Sequence, residues 1–131
     1  LHVIDVANKT HVSLPCPYTP YGVAITRDNG TMVVASNQSG TLTTYDLTAG
    51  KQLRTRKTIR HIHRARLSPD ERWLYLLSRG TMAEIRSWPR LKRKARLKAN
   101  KVFGEELRFS PGNAVTTLFS STTFSSPGGE P

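Results

Sequence analysis

What most constrains the fold of this chain is a segment that it repeats. Residues 21–46, YGVAITRDNGTMVVASNQSGTLTTYD, hold short apolar runs at 23–25, 32–35 and 42–45. Asp28-Asn29-Gly30 and Asn37-Gln38-Ser39-Gly40 separate them. Short β-prone runs bounded by Gly, Asn and Asp read as strands joined by hairpins. Asn29-Gly30 predicts a tight type I′ turn, because that turn needs φ > 0 at both central residues. The segment is therefore expected to be a three-stranded antiparallel meander, with a fourth strand at 51–56 after Thr48-Ala49-Gly50. The unit then recurs. Ile25-Thr26 aligns with Leu67-Ser68 and with Phe109-Ser110 in steps of 42 residues, as do Ser36, Ser78 and Ser120, and Asp28, Asp70 and Gly112. Val3-Ile4-Asp5-Val6 matches Thr44-Tyr45-Asp46-Leu47 at a spacing of 41.

A period of about 40–45 residues carrying four short strands is the pattern of a propeller blade. The expected fold is all-β, a partial β-propeller of four-stranded antiparallel meander blades with a repeat of about 42 residues. The expected divisions are 1–14 as the end of a blade, 21–56 and 63–98 as complete blades, 105–120 as the start of another, and 121–131 as a flexible tail. Particular residues also carry a family resemblance. SPDERWLYLLS at 68–78 resembles the turn between the first two strands of WD-repeat blades, and Tyr45-Asp46 and Ile4-Asp5 stand where those blades place Trp-Asp. PYGVAITRDNG at 20–30 with SGTLTTYDLTAGK at 39–51 is similar to the bacterial YVTN type of propeller repeat. The resemblance spans residues 1–120 and departs at Ser87-Trp88-Pro89, where no Asp follows Trp. It implies a propeller scaffold. It also implies that Asp5 and Asp46 hydrogen-bond within their blades, a structural role.

Length sets a second constraint. A closed ring takes about 4–8 blades, and 131 residues supply about three blade-lengths. The chain opens in the phase of third and fourth strands and closes in that of first and second. Two arrangements are therefore expected: part of a larger ring, or a ring assembled from several copies as a homo-oligomer. Open end blades would expose unpaired backbone groups in either case.

Between the blades, Pro15-Cys16-Pro17-Tyr18-Thr19-Pro20 is an extended connector, since proline excludes a helix there. Ala65 and Leu67 alternate with Arg64 and Arg66, giving one basic strand face. Residues 89–101, PRLKRKARLKANK, carry seven Lys or Arg in thirteen positions. Leu91, Ala95 and Ala99 recur at helical spacing, so a basic helix after Pro89 competes with an edge strand and basic loop. The repeat phase favours the strand.

Charge is the other informative feature. Residues 51–101 hold 17 of the 20 Lys and Arg against Asp70, Glu71 and Glu84, so that segment is +14 in a chain of net +11. Such a block suits phosphate backbones or other polyanions. The candidates are Arg54, Arg56, Lys57, Arg60, Arg90, Lys92, Arg93, Lys94, Arg96 and Lys98. The alternative is that they keep exposed strand edges soluble. Trp73, Tyr75 and Trp88 occupy strand positions suited to core packing, so contact with RNA or DNA would be to the backbone and weakly sequence-specific.

Other chemistry is thin. His61 and His63, at i and i+2, would share a strand face, but Zn²⁺ takes about three or four protein ligands and no local residue completes the set. Cys16 has no cysteine to pair with, which favours a reducing, cytoplasmic compartment. Lys92-Arg93-Lys94 also fits a nuclear localisation patch. No apolar run approaches the ~18 residues of a membrane span, and no paired carboxylates, nucleophile elbow or phosphate-cradling glycine loop stands out. The sequence leads to an expectation of a protein–protein scaffold in a larger assembly, without cofactor, metal or enzymatic activity. Its partners would be other proteins or further blades of the same ring. The alternative is a nucleic-acid-binding component using the basic 51–101 face, and the least favoured reading is part of a propeller enzyme.

Overall fold

The computed structural model describes residues 1–79 and 82–98 in full, and the backbone of 107–109, 115–118 and 123–125. The first sheet is a two-stranded hairpin, β1 (His2–Asp5) and β2 (Thr10–Ser13). A complete blade follows: β3 (Pro20–Ile25), β4 (Thr31–Ser36), β5 (Thr41–Asp46) and β6 (Lys51–Lys57), paired antiparallel in chain order. A second has the same order, with β7 (Ile62–Leu67), β8 (Trp73–Ser78), β9 (Met82–Ser87) and β10 (Arg93–Lys98). A three-stranded sheet closes the series, with β11 (Leu107–Phe109), β12 (Val115–Leu118) and β13 (Thr123–Ser125). The fold is all-β, and the described residues contain no helix.

The middle strands show why the apolar runs are continuous rather than alternating. Every residue from Met32 to Ser36 and from Leu74 to Ser78 is buried, because each blade is covered on both faces. On one face of the first blade, Met32, Val34 and Tyr45 pack with Leu14, Leu1 and Val3. On the other, Val33, Ala35 and Leu42 join Ile62, Ala65, Leu74 and Leu76 in a core shared between the two blades. Tyr75, Leu77, Ala83 and Ile85 cover the far face of the second blade with Ala95 and Leu97. The innermost strands approach closely at Gly22, where a Cβ would lie 3.3 Å from the Ala65 amide nitrogen.

The repeat extends to individual hydrogen bonds. Thr26 Oγ1 donates to Asp28 at 2.6 Å and accepts from the Thr31 amide at 3.0 Å. Ser68 Oγ donates to Asp70 at 2.7 Å and accepts from the Trp73 amide at 3.1 Å. Asn29 and Glu71, at φ 58° and 55°, occupy the same left-handed turn position. These side chains replace the expected two-residue type I′ turn. The loop between β3 and β4 runs over 26–30, and Gly30 is not among the positive-φ residues.

Other expectations also change. Residues 93–98 are strand, which settles the 89–101 alternatives for that stretch; 99–101 lie outside the described residues. In the expected flexible tail, Thr123–Ser125 pairs with β12. β13 repeats the phase of β5 and β9, so β1 and β13 both hold the third-strand position. His61 sits outside β7 at φ 60° and is exposed, whereas His63 is buried within it, so the two do not share a strand face.

Candidate functional site

The ten basic candidates are all exposed. They lie on the outer strands β6 and β10, in the connector after β6 and in the turn before β10. Outer strands have one free edge, and long charged side chains there oppose pairing with another sheet. Every residue of β6 is exposed. Arg56 lies opposite Leu42 and Arg54 opposite Thr44. Directly opposed residues share a sheet face, and Leu42 packs toward the second blade, so both arginines are on that side. Arg54 Nη1 donates to the Arg90 carbonyl at 3.4 Å, bringing the two rims together.

Beneath this rim lies a charged cluster that the candidate set did not anticipate. Glu84 is fully buried. Its Oε1 accepts from Arg86 Nε at 2.5 Å and from the Thr58 hydroxyl at 2.8 Å. Its Oε2 accepts from Arg96 Nη2 at 2.8 Å and Nε at 3.1 Å. Arg86 in turn donates to the carbonyls of Leu91 at 2.7 Å and Lys57 at 2.8 Å. Burial pushes the Glu84 carboxyl up, but its bonds to Arg96, Thr58 and Arg86 outweigh it and hold the pKa below the usual glutamate value. The cluster ties β6 and its connector to β9 and β10, so Arg96 serves the fold. Lys94 also has a local contact: its ammonium lies 6.0 Å from the Trp73 ring centroid, with the Arg72 guanidinium at 5.8 Å. The sequence signal for this cluster is Glu84-x-Arg86, two opposite charges on one face of a strand that is otherwise buried.

Among the described residues the carboxylates other than Glu84 are segregated. Asp5, Asp28, Asp46, Asp70 and Glu71 all lie in or beside turns at one end of the blades, which joins first to second and third to fourth strands. Each accepts a backbone amide there: Asn8 to Asp5, Gly30 to Asp28, Ala49 to Asp46, Arg72 to Asp70 and Arg27 to Glu71. The Asn8 amide and side chain hold Asp5 below the usual carboxylate range, and Thr26 with the Gly30 amide does the same for Asp28. Asp5 and Asp46 thus cap their own hairpin turns; at the matching place Ser87 Oγ accepts from the Lys92 amide. The opposite end carries the connectors 14–19 and 58–61 and the turn 37–40, none of which contains a carboxylate.

Two depressions adjoin the inner strands. One, of about 390 Å³, is lined by Val3, Ile4, Val6, Val12, Ile25 and Leu47 among others. The other, of about 320 Å³, lies over Tyr21–Val23 and residues 63–66 of β3 and β7. Cys16 is exposed. The described residues contain no cluster of three His, Cys, Asp or Glu able to hold a metal. No helix among them is long and apolar enough to cross a membrane.

The sequence matches no protein-family model and no curated protein. Solved structures do resemble the fold. Hydrazine synthase of Kuenenia stuttgartiensis superposes with a TM-score of 0.79 at 14% identity, over 89% of this chain and 34% of that one. The dihydro-heme d1 dehydrogenase NirN gives 0.73 at 17% identity, over 89% and 27%. The WD40 repeats of RRP9 give 0.68 at 13% identity, over 79% and 33%. The chain thus spans about a third or less of each. At these identities the likeness establishes a propeller-like fold. It also corrects the expectation that the chain is not an enzyme. That inference rested on the lack of a recognisable catalytic set in the sequence, yet two of these similar folds belong to enzymes, so the fold is one that enzymes also use.

Proposed function

We propose that this chain is part of a WD/YVTN-type propeller that acts as a protein-interaction platform, its stacked blades presenting a rigid surface to a protein partner. The observation that carries this reading is the uneven placement of exposed apolar side chains. Ile4 is 69% exposed and Val6 83%, and with Val12 and Ile25 they line the 390 Å³ groove beside the first hairpin. Clustered exposed apolar surface marks protein contacts, whereas scattered residues do not. The WD40 repeats of RRP9 support the platform reading through their shared architecture. The occupant of the groove is a protein surface, supplied by further blades of the same ring or by another chain.

The test is affinity purification of the intact protein, comparing wild type with Val6→Glu/Val12→Glu. Loss of a stoichiometric partner, or of the assembled mass, with an unchanged far-UV spectrum is the expected result. A double variant that keeps every interaction of the wild type would overturn the proposal.

A further inference from the structure

We infer that a second surface, separate from the apolar groove, binds the phosphate backbone of a nucleic acid. It is the corner where the outer rim meets the end of the blades that holds no carboxylate among the described residues, and its principal residues are Arg54, Arg56, Lys57, Arg60, Arg79 and Lys98. The first support is charge placement. Strand direction carries β6 from Lys51 at the carboxylate end to Lys57 at the other, and β10 likewise from Arg93 to Lys98. The six residues are exposed. Of the described carboxylates, five lie at the far end and Glu84 is buried and occupied by Arg86 and Arg96. No other described carboxylate therefore neutralises the positive potential at this corner, and a phosphate chain can replace its condensed counterions with these side chains.

The second support is spacing. Arg54 and Arg56 are two residues apart on one strand, and two strand residues span about 6.6 Å. Neighbouring phosphates of one nucleic-acid chain are separated by a similar distance, so Arg54 and Arg56 can each meet one phosphate of the same backbone. Arg54 also donates to the Arg90 carbonyl, which links the two neighbouring rims at the level of the turn between β9 and β10.

The third support is what the corner lacks. Among the described residues the exposed large apolar side chains are Ile4, Val6, Val12, Tyr18, Tyr21, Val23, Ile25 and Leu53, and only Leu53 of these lies on the rim. A protein interface draws most of its energy from buried aromatic and apolar anchors, so an acidic protein would find little here beyond charge. Exposed aromatics are lacking on the rim itself, although Tyr18 and Tyr21 are exposed at the same end of the blades before and at the start of β3, so base stacking has no platform among the basic rim residues. Recognition is therefore of the backbone, with little sequence preference.

The experiment measures fluorescence anisotropy of the intact protein with a labelled 20-base-pair DNA duplex, a 20-nucleotide RNA and a polyglutamate peptide, at several salt concentrations. Contact with about four phosphates gives a slope of log K against log salt near −3.6 for the duplex. Arg56→Gln/Arg60→Gln should weaken duplex binding and flatten that slope by about 1.8. Lys9→Gln/Lys51→Gln, at the carboxylate end, should leave both unchanged. The inference fails if the slope is near zero, if the two double variants behave alike, or if polyglutamate binds as tightly as the duplex. The last result would assign the corner to acidic proteins. Circular dichroism confirms that the variants retain the wild-type fold, and Val6→Glu/Val12→Glu should bind the duplex as wild type does.

Discussion

Removing the Glu84 carboxylate is the sharpest test of how the two blades are held together. Glu84→Ala leaves Arg86, whose side chain is 9% exposed, without a counter-charge. Breaking a buried pair from one side costs about 3–5 kcal/mol, because the remaining charge stays desolvated. Arg86 keeps the Leu91 and Lys57 carbonyls, which places the effect at the low end of that range. Arg96 is 39% exposed and can turn to water, so its lost pairing adds only about 0–1 kcal/mol. A total of about 3 kcal/mol is a large share of the ~5–15 kcal/mol stability of a typical domain. It corresponds to a fall in Tm on the order of 10 °C. Urea denaturation of the intact protein, followed by far-UV circular dichroism, measures it. Glu84→Leu/Arg86→Met removes both charges and should be less destabilised than the two single changes combined. A loss under about 1 kcal/mol for Glu84→Ala, or strict additivity in the double variant, would refute the argument.

Acidification tests the same cluster independently. Glu84 has a folded pKa below its ordinary value of 4.5, so its contribution is complete above that value and is lost as pH falls through the folded pKa. Stability measured from pH 6 down to about 3 should fall less steeply for Glu84→Gln than for wild type; parallel curves would contradict this. At Gly22 the limit is steric. A Cβ there would lie 3.4 Å from both the Ala35 and Ala65 Cβ atoms, so Gly22→Val should cost about 1–3 kcal/mol and Gly22→Ala less, read from denaturation midpoints. Ser68→Ala and Thr26→Val remove equivalent turn bonds in the two blades. Each should cost about 1 kcal/mol, and the double variant should be additive within about 0.5 kcal/mol. Tyr45→Phe should cost about 1 kcal/mol in the same assay, since the buried Tyr45 hydroxyl donates to the Pro15 carbonyl at 2.7 Å.

The blade was legible in the sequence because strand period and turn chemistry are local. The recurrence of Thr26 and Ser68 ahead of Asp28 and Asp70 marked a repeated turn, and the structure gives both copies matching hydrogen bonds. The Asn29-Gly30 turn misled because the dipeptide preference assumes that the backbone alone closes the hairpin. Here the Thr26 hydroxyl and Asp28 carboxylate take the Thr31 and Gly30 amides. The basic candidates were legible as a block, but their roles were not. Arg96 and Arg86 differ from Arg56 only in lying opposite or beside Glu84, and strand register decides that. The same holds for His61 and His63, whose i, i+2 spacing implied one face until a left-handed residue placed His61 ahead of the strand.

Burial on both faces explains where variation in charge can occur at all. The middle strands β4 and β8 are buried along their lengths, and the inner strands meet at Gly22 and Ala65, so a cation there would need a buried partner. Only the outer strand of each blade has a solvated edge, and only the turns and connectors leave the stack. Among the described residues the one buried cation is Arg86 on the third strand β9, and it has its partner in Glu84; the other described cations of the basic block occupy the outer strands, inner-strand surface and loops. The described carboxylates other than Glu84 follow a different rule, because capping the turn amides confines them to one end. A repeat that uses its acids for turns and admits its bases at the rim therefore becomes electrically polarised without any residue being buried for that purpose. The charge asymmetry between 51–101 and the rest of the chain acquires a direction in space: positive at the rim and connector end, mixed at the turn end.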